Sequence, residues 1–337
     1  MQQTAVKETF KAFVIEETEG GSIKSSLSVL RADQLDAGDV TIKVAYSSVN
    51  YKDALAATGA GKIIRRFPCV GGVDLAGEVV HSLDPRFAPG DKVIATGFDI
   101  GVSHHGGYAE YARLPADWIV ALPAGLTLLE SMALGTAGFT AALGIVRMEA
   151  NDLAPENGPV AVTGATGGVG SLAIDMLSNL GYEVVALTSK STEDAYLTSL
   201  GAARVQSTST IDLTRNKAME SAQWAGAIDN VGGPLLSWVI ASMKRGGTVA
   251  SIGNAASGEL RSTVYPFILR GVSLVGVDSG YIAYPTRQRV WERLGADLKP
   301  RHLMEISKVI DLEALPACFE DFIQGRVKGR TVVRIGG

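Results

Sequence analysis

The chain has 337 residues, of which 46% are hydrophobic and 20% charged, and a formal net charge of −4. This length suits two domains with sizeable cores, and the acidic balance argues against nucleic acid as the main partner. Two cysteines far apart in sequence, Cys69 and Cys318, give neither a disulfide framework nor a Cys-rich zinc site. The polar start (Gln2, Gln3, Lys7, Glu8) does not read as a signal peptide, and no apolar run reaches the ~18 residues of a membrane span, so a cytoplasmic protein is expected.

In chain order, the first third reads as strands at 12–15, 40–45, 74–80, 92–96, 108–112 and 118–122, with Pro85, Pro89 and Gly90 in a turn. From Leu128 the spacing of apolar residues turns helical, over 129–133 and 138–149. Strands and helices then alternate: strands at 160–163, 184–188, 203–205, 226–230, 247–252 and 272–277, helices at 168–180, 192–200, 212–221 and 233–244. That alternation predicts an α/β fold with a doubly wound parallel sheet. A helix over 286–298, a strand-like 306–310, a helix over 312–324 and a closing strand over 330–335 follow. The last strand has the character of the first third. The expected domains are therefore 1–130 with 304–337, β-rich, and 131–303, an inserted nucleotide-binding domain.

Residues 160–170 read Val-Ala-Val-Thr-Gly-Ala-Thr-Gly-Gly-Val-Gly, an apolar strand that stops in a glycine-dense turn. An amphipathic helix and a second apolar run, 184–187, come next. Strand, glycine turn, helix and strand are the order of a dinucleotide-binding unit, with the pyrophosphate over Thr166, Gly167, Gly168 and Val169 at the helix N-terminus. At the end of the second strand an acid would hold a ribose 2′-hydroxyl. This chain has Thr188-Ser189-Lys190-Ser191 there, and no acid until Glu193. Hydroxyls and a lysine suit a 2′-phosphate, which predicts NADPH over NADH.

Further runs carry a resemblance: Asn50-Tyr-Lys-Asp53, Gly72-Val-Asp-Leu-Ala-Gly77, Pro89-Gly-Asp-Lys-Val93, Gly106-Gly-Tyr-Ala-Glu-Tyr111, Gly135-Thr-Ala-Gly-Phe-Thr140 and Gly325-Arg-Val-Lys-Gly-Arg330. Over essentially its whole length the chain resembles the medium-chain dehydrogenase/reductase superfamily, and most of all its zinc-independent quinone-oxidoreductase branch. Within that branch, Ser47–Asp53, Gly61-Lys-Ile-Ile-Arg-Arg-Phe-Pro68, Trp224–Asp229 and Gly276-Val-Asp-Ser279 resemble the NADPH-dependent acryloyl-CoA reductases. The resemblance implies a GroES-like catalytic domain, a Rossmann domain and a homodimer. It departs from the zinc branch at Val73 and Asp74, which stand where that branch has a His-Glu pair. A valine has no donor atom for zinc, and adjacent His104 and His105 lack a third donor, so no metal is expected; that pair reads as a polar loop at the cleft.

Without a Lewis acid, hydride delivery needs an acceptor that is already electrophilic, such as an α,β-unsaturated thioester. Tyr51 is the candidate to donate to the enolate oxygen or relay a proton, with Asn50 fixing its surroundings. Lys62, Arg65 and Arg66 are candidates for the phosphates of a coenzyme A tail. Tyr51 is also expected to contact the cofactor, stacking against the nicotinamide being the alternative to its catalytic role; Asn254, Asp278 and Ser279 are placed near the nicotinamide, and Arg330 is expected to reach the cofactor. An NADPH:quinone or general enone reductase is the other enzymatic reading, and a nucleotide-binding structural protein of the crystallin type the non-enzymatic one.

Overall fold

The computed structural model describes residues 6–190, 192–215 and 217–336, so Ser191 of the expected phosphate-reading run lies outside the described residues. The chain begins with β1 (Thr9–Glu17), β2 (Ile23–Arg31), β3 (Val40–Val49), α1 (Tyr51–Thr58), β4 (Cys69–Val70) and β5 (Asp74–Ser82). There follow β6 (Lys92–Thr96), β7 (Tyr111–Leu114), β8 (Ile119–Ala121), α2 (Leu128–Glu149), β9 (Val160–Thr163), α3 (Gly168–Asn179), β10 (Val184–Thr188) and α4 (Asp194–Ser199). Next are β11 (Arg204–Ser207), β12 (Trp224–Asp229), α5 (Gly233–Ala241), β13 (Met243–Ser251), α6 (Tyr265–Arg270) and β14 (Ser273–Gly276). The chain closes with α7 (Tyr284–Leu294), α8 (Leu303–Ile306), β15 (Ser307–Asp311), α9 (Leu315–Ile323) and β16 (Arg330–Arg334).

These elements form two compact units. The first is Met1–Thr136 with Gly280–Trp291 and Ser307–Gly337; the second is Ala137–Ser279 with Glu292–Ile306. The segment Gly280–Trp291 thus packs with the first unit, although its place in the chain lies inside 131–303.

In the first unit a large sheet has the order β15-β16-β3-β5-β6-β8, with β7 also on β3, and a small sheet has the order β2-β1-β4. The closing strand β16 runs antiparallel to β3, Thr331 opposite Val49, so the C-terminal residues complete a sheet begun by the N-terminal ones. Their common core holds Phe13, whose ring meets Tyr108 and Phe319 edge-on at 6.4 and 5.7 Å.

The second unit is a six-stranded parallel sheet of order β11-β10-β9-β12-β13-β14. Its central strands are buried on both faces, which is why Val160–Thr163 and Val184–Thr188 read as unbroken apolar runs. Strand order reverses between β9 and β12, and ligands bind such sheets at that switch point, beyond the carboxyl ends of the strands.

Two expectations fail. No helix forms among the described residues of 212–221: the Asp212 carboxylate accepts from Thr214 N (3.2 Å) and Oγ1 (2.6 Å), a local turn that competes with helix. Moreover, α2 is, among the described residues, one helix long and apolar enough to cross a membrane by length and composition. Its apolar window is 78% buried, so its hydropathy belongs to the core. Gly135 breaks α2 at φ 51° and ψ −155°, matching the two helical stretches expected there.

Candidate active site

In the second unit the expected nucleotide residues gather at one edge. Thr166–Val169 follow β9, Thr188–Lys190 end β10, Asn254 follows β13, and Asp278 and Ser279 follow β14. All the strands are parallel, so these are all carboxyl ends. The turn is built for close approach. A Cβ on Gly170 would run into the Gly164 carbonyl oxygen and come within 2.8 Å of Ala165 Cα. The first bond along α3 is Ser171 N to Gly167 O (2.9 Å), which leaves the N–H groups of Gly168, Val169 and Gly170 directed outward.

Thr163 and Asp229 tie β9 to β12. Thr163 Oγ1 donates to Asp229 Oδ1 (2.7 Å), Gly232 N donates to Asp229 Oδ2 (2.9 Å), and Asn230 Nδ2 donates to Thr163 O (2.7 Å). Burial raises the Asp229 carboxyl above its ordinary value, against the pull of its donors. Buried Asn230 Oδ1 has no partner among the described residues, an acceptor left over at the switch point. Glycine cradle, outward N–H groups and spare acceptor together fit a dinucleotide. Thr188 Oγ1 accepts from Lys190 N (3.0 Å), which shapes the turn that presents exposed Ser189 and half-buried Lys190. Ser279 Oγ accepts from Thr140 Oγ1 (2.8 Å).

The expected catalytic residues lie in the first unit. Asn50 caps α1, and Tyr51, 55% exposed, is its first residue. Asp53 accepts from Asn50 N (2.8 Å) and Val73 N (3.0 Å), fixing the start of the helix against β5. The centre of the arrangement is Asp74, which is fully buried. Its Oδ2 accepts from Ser48 Oγ (2.5 Å), Asn50 Nδ2 (2.8 Å) and Thr136 N (2.9 Å), and its Oδ1 from Thr136 Oγ1 (2.5 Å). A side chain on Gly135 would crowd this knot: a Cβ there would lie 2.6 Å from Ser48 Oγ and 2.7 Å from both Arg330 Nη2 and Asp74 Oδ2.

The other expected residues are placed as follows. Arg330 is turned inward: its buried guanidinium donates to Ala133 O (3.0 Å), Val49 O (3.2 Å), Asn50 Oδ1 (3.3 Å) and Ser48 Oγ (2.8 Å). Burial lowers its pKa, while the Asp74 and Asp53 charges oppose that. Asn50 is consequently held at both ends of its amide, which makes it a positioning group for Tyr51. Arg66 is bidentate on Asp36, at 2.6 Å for both nitrogens, so its fork is already taken. Lys62 is exposed, and Arg65 lies 3.6 Å from Asp99. The His104 and His105 rings bind backbone: His104 Nε2 meets Arg113 O (2.7 Å), and His105 Nδ1 accepts from Val70 N (3.0 Å). Among the described residues no group of three or more His, Cys, Asp or Glu could hold a metal.

Sequence reasoning missed the Ser48–Asp74–Thr136–Arg330 knot. The signal was available in part, as an aspartate opening the run Asp74-Leu-Ala-Gly77, whose other residues have no polar side chain. A buried carboxylate must find donors, but nothing in the sequence says which.

Asp53 carries a pH dependence. Burial, then the charge of Asp74, pushes its carboxyl up to about 7 from the model-peptide 3.8. The folded state then holds a proton that the unfolded state has lost, so stability falls as pH rises between about 4 and 7, and the deficit is complete above that range. Thermal unfolding of the wild type should therefore decline over this window relative to Asp53→Asn. A difference between the two that stays constant with pH would contradict the assignment.

The alcohol dehydrogenase GroES-like domain family model matches residues 36–124, and the zinc-binding dehydrogenase family model matches residues 168–296. YhfP of Bacillus subtilis, which carries a quinone oxidoreductase name, is 47% identical over 95% of this chain and 97% of its own length. The crystal structure of B. subtilis yhfP with NAD bound has a TM-score of 0.95 at 46% identity, covering 98% of this chain and 100% of that one. The acrylyl-CoA reductase AcuI of Ruegeria pomeroyi is 44% identical over 97% of this chain and 99% of its own. The yhdH oxidoreductase from Salmonella enterica, solved in complex with NADP, has a TM-score of 0.93 at 46% identity, covering 97% and 100%. With such likeness along nearly its full length, the chain belongs to the medium-chain dehydrogenase/reductase superfamily, in its quinone-oxidoreductase-like branch.

Proposed function

We propose that this protein is an NADPH-dependent reductase of an α,β-unsaturated acyl-CoA, converting acryloyl-CoA to propionyl-CoA without a metal. The observation that carries the reading is the Val73-Asp74 pair: the valine offers no ligand, and the aspartate oxygens are taken by four protein donors. Such a site suits an acceptor that needs no polarising metal. The kinship to AcuI supports the thioester, and the kinship to YhfP supports a quinone as the second reading. In this assignment residues 1–130 with 304–337 form the catalytic domain and 131–303 the NADPH domain. The family resemblance also underlies a cytoplasmic homodimer, which sedimentation would check.

When bound, NADPH supplies the hydride that adds to the β-carbon; the charge moves to the thioester oxygen, and the α-carbon takes a proton. Tyr51 donates to the enolate oxygen or relays that proton, while Asn50, held by Asp74 and Arg330, keeps the start of α1 in register. Lys62 and Arg65 meet phosphates of the coenzyme A tail. Thr166–Val169 hold the pyrophosphate, Ser189 and Lys190 the 2′-phosphate, and Asn254, Asp278 and Ser279 the nicotinamide end.

The test of the reading follows NADPH oxidation with acryloyl-CoA, crotonoyl-CoA and a simple quinone at matched concentrations. The thioesters should turn over faster; a preference for the quinone would overturn the acyl-CoA assignment. Tyr51→Phe should lower turnover at least about tenfold with NADPH binding unchanged, whereas unaltered turnover would reduce Tyr51 to packing. Lys190→Ala should raise the KM for NADPH and hardly move that for NADH. Equal effects on the two would count against the 2′-phosphate role.

A further inference from the structure

The second unit contains a cavity of about 360 Å³. One wall is α5, which presents Pro234, Ser237, Trp238 and Ala241; the others include Arg215, Lys217, Glu220, Glu259 and Arg261. None of Thr166–Val169, Thr188–Lys190, Asn254, Asp278 or Ser279 lines it. The volume is within the range of small-molecule sites.

Its chemistry is that of a stacking surface beside cations. Trp238 is half-buried and fixed from behind by the buried Trp224, edge-on at 6.1 Å. Arg215, Lys217 and Arg261 line the cavity together with Glu220 and Glu259. Each cation pairs within its own loop: Arg215 with Asp212 (3.1 Å), Lys217 with Glu220 (3.2 Å) and Arg261 with Glu259 (2.9 Å). Exposed pairs of this kind are weak, so a phosphate can take over these donors at little cost. Arg270 donates to Ala241 O and Met243 O (both 2.9 Å) and to Glu220 O (2.6 Å), tying Glu220 to the end of α5.

We propose that this cavity binds an adenine nucleotide, with the base against Trp238 and a phosphate among Arg215, Lys217 and Arg261. Two sources share that chemistry: the nucleotide end of a coenzyme A thioester, an alternative that rests on the acyl-CoA reading above, and a free adenine nucleotide.

The experiment titrates adenosine 3′,5′-bisphosphate and ATP by calorimetry into protein saturated with NADP⁺, which fills the dinucleotide site. Binding is expected, and the double variant R215A/R261A, altered only at exposed side chains, should lose affinity by about tenfold or more. The KM values for acryloyl-CoA and for acryloyl-N-acetylcysteamine then separate the sources. A rise for the CoA ester alone in the double variant assigns the cavity to coenzyme A, and unchanged KM values with nucleotide binding intact in the wild type assign it to a free nucleotide. No binding of either nucleotide, or equal binding by wild type and variant, overturns the proposal. If neither thioester is reduced, the acyl-CoA reading fails, and the titration still decides the nucleotide site.

Discussion

Replacing Asp74 by alanine should destabilise the protein by about 3–5 kcal/mol, the usual result of removing one partner from a buried charged cluster. The residue is fully buried and accepts from Ser48, Asn50 and both the N–H and hydroxyl of Thr136. Alanine would strand those donors and leave the buried Arg330 guanidinium without the nearby carboxylate that offsets its desolvation. Because Asn50 would lose one of its two side-chain anchors, turnover should also fall, by at least about tenfold, with little change in NADPH affinity. That asymmetry follows from the division of labour: the knot belongs to the first unit and the nucleotide turn to the second. Thermal unfolding, a nucleotide titration and steady-state kinetics would check all three parts. A variant as stable as the wild type would show that the knot is not the internal support described above.

Gly170→Ala should cost about 1–3 kcal/mol of stability, as overpacking does, and weaken NADPH binding by about tenfold or more. The added methyl would overlap the Gly164 carbonyl oxygen, so the start of α3 or the turn must move, and both carry the N–H groups proposed to meet the pyrophosphate. Gly167→Ala is the internal control, since its Cβ would stop 3.3 Å from the same oxygen and should be milder on both counts. Fluorescence titration of NADPH and thermal melts would order the two. If Gly167→Ala were the more damaging, close packing of Gly170 would not be what shapes the turn.

Much of the second unit was legible because its signals are local. Strands 160–163 and 184–188 agree with the observed β9 and β10 to the residue. Burial on both faces makes such strands uniformly apolar, and the glycine turn between them has little conformational alternative. Weaker signals failed. Strand β2 went unread since its residues are mostly half-exposed and serine-rich, so little alternation survives at this sheet edge. The eight-residue α1 was too short to show a period and stood in the sequence only as a motif. The helix over 212–221 had a suggestive spacing but lost to the side-chain turn at Asp212.

The candidate site divides along the same line. The amino-acid sequence by itself determined the parallel nucleotide-binding sheet, the turn that ends β9, the lack of an acid before Glu193, and a valine at position 73, which only the family resemblance marks as the place of a ligand. Each of those depends on residue type within a short window. Only the tertiary structure decided that Asp74 gathers donors from residues 48, 50 and 136, that Arg330 turns inward to Ser48, Val49, Asn50 and Ala133, and that Arg66 is spent on Asp36 thirty positions away. The physical reason is that a charge leaving water takes whatever partner the packed chain brings within about 3 Å, and that proximity is set by the fold rather than by spacing along the sequence.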